Sequence, residues 1–236
     1  MKAVVLAGGK GTRLAPYSQI LPKPLMPIGD MPILEVLLRQ MSRYGIRDVV
    51  LTVGHLAELL ESYFRDGSRF QVSLHYSRES EPLGTAGPLS LIENLDQTFL
   101  VANGDVLTTL DLGELVKYHH AQGATATISM HQKQVSIDLG VIQLDGGNKV
   151  MNYIEKPSME YKVSMGIYVF EPQVLNYIPK GKHLDFPDMV MSLLQNGERV
   201  VGYPFDGYWQ DLGRPQDYQQ AWKDFDRLRD RILGAD

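Results

Sequence analysis

Val4-Val5-Leu6-Ala7-Gly8-Gly9-Lys10-Gly11-Thr12-Arg13-Leu14, followed by Leu21-Pro22-Lys23-Pro24, is the stretch that decides how this chain folds. The apolar run into Leu6 and Ala7 reads as a buried strand. Gly8, Gly9 and Gly11 then let the backbone turn tightly and bring its N–H groups close to a ligand. Lys10, Arg13 and Lys23 set positive charge around those donors. That combination suits a polyphosphate.

Spacing excludes two familiar phosphate loops. A dinucleotide fingerprint needs glycines at i, i+2 and i+5, and from Gly9 this gives Gly9, Gly11 and Leu14. A nicotinamide-dependent oxidoreductase is therefore disfavoured. The Walker loop needs Gly-Lys followed by Ser or Thr, whereas Gly9-Lys10 is followed by Gly11. An ordinary strand-to-turn connection would explain the glycines but not the ordered cations after them.

The chain has 236 residues, 44% of them hydrophobic and 22% charged, enough for a full core in one large domain. Its net charge is −5, so a phosphate site must be a local concentration of cations, and nucleic acid is a disfavoured partner. There is no cysteine, hence no disulfide framework and no thiol chemistry. The N-terminus carries no secretory pattern and no apolar run reaches membrane-spanning length. A cytoplasmic protein with no membrane partner is expected.

Strand-like and helix-like segments alternate through the first half. Pro32 opens a helix in which Ile33, Leu34, Leu37, Leu38, Met41 and Tyr44 recur at helical spacing, and Gly45 stops it. Residues 48–53, 72–76, 99–103 and 125–130 read as strands, and residues 56–64 and 85–95 as helices. Asp111 and Glu114 form a capping box for a helix reaching about Gln122. The alternation predicts an α/β fold with a largely parallel sheet, whose ligands sit at the carboxyl ends of strands. The second half changes character: residues 140–144, 150–154 and 162–170 are strands with little helix between them. A hairpin turn at Asp145-Gly146-Gly147-Asn148 implies some antiparallel pairing. Helices follow over residues 186–195 and from Arg214 onward.

Asp105 follows a strand in Asn103-Gly104-Asp105 and is suited to hold Mg²⁺ through oxygen, although alone it would read as a turn or cap residue. Asp211, in Tyr208-Trp209-Gln210-Asp211-Leu212-Gly213, carries the same two readings. The pair Glu155-Lys156 before Pro157 offers a carboxylate for hydroxyl groups and a point charge for phosphate, or is merely surface. Glu81-Pro82-Leu83-Gly84-Thr85-Ala86-Gly87 offers two glycines that would let a flat base approach, or is a simple loop. The histidines show no metal-ligand spacing, and His119-His120 reads as a solvated or dipole-stabilised pair. Tyr17, Phe64 and Tyr168 read as core.

Taken together, Gly-Gly-x-Gly-Thr-Arg-Leu at 8–14 and Pro-Lys-Pro at 22–24 resemble the signature of the sugar-1-phosphate nucleotidylyltransferases. Within that family, the block at residues 81–89 looks most like the mannose-1-phosphate guanylyltransferase branch. The resemblance runs from Met1 to about Asp224. It implies a Rossmann-like nucleotidyltransferase fold with residues 1–236 as a single catalytic domain; longer relatives add a C-terminal β-helix, for which this sequence is expected to be too short. It implies that a sugar 1-phosphate and a nucleoside triphosphate give a nucleotide sugar and pyrophosphate, with GTP and a manno-configured sugar as substrates. Thymidylyl or uridylyl transfer to glucose 1-phosphate is the alternative. The nucleotide would lie on Leu6, Ala7, Gly8, Gly9, Gly11, Thr12, Arg13, Glu81, Gly84, Thr85 and Asp105. The sugar phosphate would meet Gly140, Glu155, Lys156, Ser164 and Gly166, and Ser164 stands where many members carry asparagine. Asp105 and Asp211 would share Mg²⁺, with Arg13 and Lys23 as catalytic cations. A homodimer is compatible with this reading, and polysaccharide biosynthesis is its biological setting. Some relatives are non-catalytic nucleotide-sugar sensors, but the presence of all four catalytic positions argues against that here.

Overall fold

The computed structural model describes residues 1–9, 11–14 and 17–234, with Tyr17 described by its backbone alone. Lys10 and the side chain of Tyr17 therefore lie outside the described residues. The chain opens with β1 (Lys2–Leu6), whose central residues are buried on both sides of the sheet. A small antiparallel ribbon, β2 (Pro27–Ile28) and β3 (Met31–Pro32), leads into α1 (Ile33–Arg43). That helix begins after Pro32 and ends at Tyr44, ahead of Gly45 with a φ of 75°, as its punctuation predicts. Then come β4 (Asp48–Val53), α2 (Ala57–Phe64), β5 (Ser73–Arg78), β6 (Phe99–Asn103) and β7 (Val106–Thr108). After these, α3 (Leu112–Gln122) leads to β8 (Ala126–Ser136), β9 (Val141–Leu144), β10 (Val150–Ile154) and β11 (Ser158–Phe170). The chain continues through α4 (Phe186–Gln195), β12 (Val200–Phe205), β13 (Trp209–Asp211) and α5 (Pro215–Leu233).

The central sheet has seven strands in the order β12-β8-β11-β6-β1-β4-β5. All pairings in it are parallel except the two made by β11, which runs against both β6 and β8. The fold is thus a mixed, largely parallel α/β sheet flanked by helices, and the described residues form no β-helix. Alternation divides the core. Ala3 and Val5 of β1 pack with α1, α2 and α3 on one face, while Val4 packs with α4 on the other. A third cluster joins α5 to β7 and the entrance of α1 through Phe225, Leu228, Ile232, Leu107, Leu212 and Ile33. Phe64 and Tyr168 are core residues as predicted. No helix of the described residues is long and apolar enough to cross a membrane.

Three local expectations are corrected. Residues 85–95 do not form an α-helix; only Gly87–Leu91 turn, as a 3₁₀ helix. The N–H groups of Ala86 and Gly87 donate instead to the carbonyl of Leu184, which removes them from any local ladder. At the start of α3, Asp111 accepts from Glu114 N at 2.9 Å, but the Glu114 carboxylate turns to Lys117 at 2.7 Å. Only half of the capping box is formed. His119, read as solvated, is 1% exposed.

The distal half of β8, both strands of the β9–β10 hairpin and the first half of β11 form an arm beyond the carboxyl edge of the sheet. The hairpin turns as expected, with Asp145 Oδ1 accepting from Gly147 N and Lys149 N at 2.8 and 2.9 Å.

Candidate active site

The carboxyl ends of β5, β4, β1 and β6 lie side by side. Leu6, Ala7, Gly8, Gly9, Gly11, Arg13, Lys23, Glu81, Gly84, Thr85 and Asp105 line one cleft there, of about 770 Å³. Ten of these positions were expected to meet a nucleotide, and Lys23 to act beside it. The expected Thr12 stands exposed on the same turn.

The glycine loop is shaped by its neighbours. A Cβ on Gly8 would sit 2.5 Å from Glu79 Oε1, so any larger residue there would push that carboxylate out of its present position. Gly11, at φ 60°, begins the turn closed by Leu14 N to Gly11 O at 2.9 Å. Buried Leu14 anchors the turn and leaves Arg13 exposed. Arg13 Nη2 and the Asp211 carboxylate oxygens lie 3.2, 3.1 and 3.3 Å from where a Gly213 Cβ would be, so both groups border one point.

Asp105 and Asp211 are brought together by backbone pairing. β7 and β13 form an antiparallel ribbon in which Asp211 faces Val106, and Leu212 N donates to Asp105 O at 3.1 Å. The Lys23 ammonium makes an ion pair with Asp105 and lies 3.7 Å from Asp211 Oδ1. Lys23 is 8% exposed, held in a short turn behind Pro22. Two carboxylates from separate segments thus converge on one cation. An oxygen pair able to share a cation is a donor set that Mg²⁺ accepts, so these residues fit that ion.

At the other end of the cleft, Glu79 follows β5. Its Oε2 accepts from Leu83 N at 3.0 Å while Oε1 faces Gly8. Partial burial raises its carboxyl pKa, and the Leu83 N–H only partly opposes this. Glu81, the carboxylate singled out in the sequence, lines the same cleft but is exposed and has no such fixing bonds among the described residues. Gly84 and Gly87 owe their identity to the protein itself. A Cβ on either would lie 2.6 Å from a carbonyl oxygen, of Leu184 and Lys182 respectively. Thr85 is tied to the same segment, its N–H donating to Asp185 Oδ1 at 2.9 Å. The sequence reading missed Thr52, Asn103 and His183, which also line the cleft. Asn103 alone carried a signal, directly before Gly104-Asp105. Thr52 Oγ1 is buried with no hydrogen-bond partner among the described residues.

The sugar-side residues divide. Gly166, at φ 75°, packs where a Cβ would lie 2.5 Å from Asn103 Nδ2, which sets it beside the carboxyl end of β6. Ser164 lies in the irregularity of β11 just before it; its hydroxyl donates to Tyr168 Oη at 3.0 Å and accepts from Gly166 N at 3.3 Å. Trp209 Nε1 donates to Met165 O at 2.9 Å, joining this bulge to the ribbon that carries Asp211. Gly140, Glu155 and Lys156 stand out on the arm, and none of the five sugar-side residues is among the described residues lining the cleft. Lys156 adopts a φ of 46° immediately before Pro157, an unusual backbone for a lysine.

The nucleotidyl transferase family model matches residues 2–227. A relative from Synechocystis, UTP–glucose-1-phosphate uridylyltransferase, is 40% identical over 94% of this chain and 62% of its own. Mannose-1-phosphate guanylyltransferase of Mycobacterium tuberculosis is 34% identical over 95% of this chain and 64% of its own. The chain therefore spans somewhat less than two thirds of the length of these curated relatives. Among solved structures, HddC from Yersinia pseudotuberculosis superposes with a TM-score of 0.74 at 25% identity, covering 95% of this chain and 99% of that one. Glycine loop, paired aspartates and family model agree: the chain belongs to the nucleotidyl transferase family.

Proposed function

We propose that the protein joins a sugar 1-phosphate to a nucleoside triphosphate, giving a nucleotide sugar and pyrophosphate. The observation that carries this reading is Lys23 set between Asp105 and Asp211 at the mouth of the glycine loop. A phosphate oxygen of the sugar phosphate attacks the α-phosphorus in line. The new P–O bond forms as the α–β bridging bond breaks, and pyrophosphate leaves with the electron pair. The attacking oxygen is already anionic near neutral pH, so no side chain need remove a proton. Mg²⁺ on Asp105 and Asp211 would offset charge at the α-phosphate. Arg13 and the loop N–H groups hold the β- and γ-phosphates, Lys23 bridges phosphates at the reacting centre, and Lys156 holds the incoming sugar phosphate.

GTP and mannose 1-phosphate, or a related manno-configured sugar, are the substrates in this reading. Guanine presents N1–H and N2–H₂ as adjacent donors, and a half-buried carboxylate accepts from both. Glu79 suits that role better than Glu81 because it is fixed by Leu83 N and less exposed. Uracil and thymine place one N–H between two carbonyls, which face an anion poorly. UTP with glucose 1-phosphate is the second reading, favoured by the name of the Synechocystis relative.

The test is pyrophosphate release with GTP, UTP, dTTP, CTP and ATP at equal subsaturating concentration, against mannose and glucose 1-phosphates. GTP is expected to lead, and Glu79→Gln to cut that lead about tenfold or more. A tenfold preference for UTP or dTTP by the wild type would overturn the base assignment. No release with any pair would overturn the reaction.

A further inference from the structure

The amino edge of the sheet, opposite the cleft, carries a cluster that the nucleotidyl transfer reading does not use. His119 and His120 close the last turn of α3, and Glu171 follows the end of β11. One potential ligand atom from each of the three lies within 4.8 Å of the others. We propose that His119, His120 and Glu171 form a binding site for a borderline divalent ion of the Zn²⁺ class, separate from the Asp105–Asp211 pair.

Geometry supports the two inner ligands. His119 Nε2 stands 3.1 Å from Glu171 Oε1. Two ligands at about 2.0 Å on a tetrahedral ion stand about 3.3 Å apart, so these atoms are already near the required spacing. His120 is exposed, and among the described residues its ring makes no hydrogen bond that would stop it turning to supply the third ligand. Water completes the fourth position.

Each inner ligand has an outer partner. His119 Nδ1 lies 2.8 Å from Thr127 Oγ1, which leaves Nε2 as the presented nitrogen. Thr98 Oγ1 donates to Glu171 Oε1 at 2.7 Å. Ring and carboxylate are thereby oriented before any ion arrives, an arrangement typical of ligands in metal sites. Binding through Nε2 places the ring proton on Nδ1, with Thr127 Oγ1 as its acceptor. Imidazole nitrogen ligands select against Mg²⁺ and for zinc-like ions, the reverse of the all-oxygen pair in the cleft.

The experiment titrates untagged wild-type protein with Zn²⁺ by calorimetry, and with Co²⁺ as a visible probe of imidazole coordination. Asp211→Asn, His120→Ala and Glu171→Gln are titrated alongside, each checked by its melting temperature. One ion per chain is expected, with imidazole-type Co²⁺ absorption retained in Asp211→Asn and the melting temperature raised by Zn²⁺. His120→Ala, a surface change, should weaken binding about tenfold or more. Equal affinity in wild type and His120→Ala would overturn the proposal. So would loss of binding in Asp211→Asn alone, or no binding by the wild type. If Glu171→Gln fails to fold, the His120→Ala comparison still decides.

Discussion

Lys23→Met tests the centre of the cleft most directly. The substitution keeps an unbranched stem of similar length and removes one positive charge from between Asp105 and Asp211. Unit charges 3.7 Å apart interact by about 1 kcal/mol in a water-like medium and about 4 kcal/mol at an effective dielectric of about 20. The Asp211 side chain is 47% exposed, so the low end applies, about 1 to 2 kcal/mol. The ammonium competes with a metal ion for the same oxygens. Without it, Mg²⁺ should bind about tenfold more tightly, since about 1.4 kcal/mol is a factor of ten. Turnover should move the other way. Losing a charge aimed at the reacting phosphates should cost about a hundredfold in kcat. Pyrophosphate release at saturating substrates, measured against free Mg²⁺, reads both quantities, and circular dichroism with thermal melting confirms the fold. A half-saturating Mg²⁺ concentration that is unchanged or higher would refute the shared-cation argument. A kcat within about threefold of wild type would remove Lys23 from the reacting centre.

Asp105→Asn and Asp211→Asn should each lower turnover about a hundredfold or more with the melting temperature little changed, and near-normal magnesium-dependent turnover in both would sink the metal pair. Burial holds the Glu79 carboxyl above its ordinary value of 4.5, so on acidification its acceptor is lost at a higher pH than for a free glutamate. The KM for the preferred nucleotide should therefore rise as pH falls through that range, and Glu79→Gln should abolish this limb of the KM profile. Lys156→Ala should raise the KM for sugar 1-phosphate more than that for nucleotide; an effect on nucleotide alone would contradict the two-sided cleft. Gly84→Ala places a Cβ 2.6 Å from Leu184 O at a φ of 78° and should destabilise the fold by about 2 kcal/mol or more, with a loss below about 0.5 kcal/mol in urea unfolding speaking against that contact.

Much of the fold was legible because period and punctuation coincide. α1 shows it best: an apolar helical stripe is bracketed by Pro32 and Gly45, and the helix runs from Ile33 to Arg43. α4 and β10 fall on the residues read for them. What failed depended on partners distant in the chain. Residues 85–95 carry Leu89, Leu91, Ile92 and Leu95 but also Gly87-Pro88, and Ala86 and Gly87 spend their N–H groups on Leu184. A strand pattern carries no direction, so the reversal of β11 was visible only as a change of character in the second half. The glycine loop was readable because its chemistry is contiguous. Asp105 and Asp211 each looked like turn residues, and only the β7–β13 pairing makes them neighbours. Glu79 and Glu81 are alike in sequence and differ only in what surrounds them. His119 was misjudged for the same reason, since helix position says nothing of Thr127 and Glu171.

The β7–β13 ribbon has a consequence for the order in which this protein fails. Half of the carboxylate pair arrives on a three-residue strand lying outside the seven-stranded sheet, followed at once by α5. α5 in turn packs on α1 and β13. Peeling away β13 and α5 would part Asp211 from Asp105 while every pairing of the central sheet stayed intact. Such a partial opening costs less than global unfolding. Thermal inactivation should therefore run ahead of the loss of sheet signal, and a nascent chain would lack the carboxylate pair until the segment carrying Asp211 had docked.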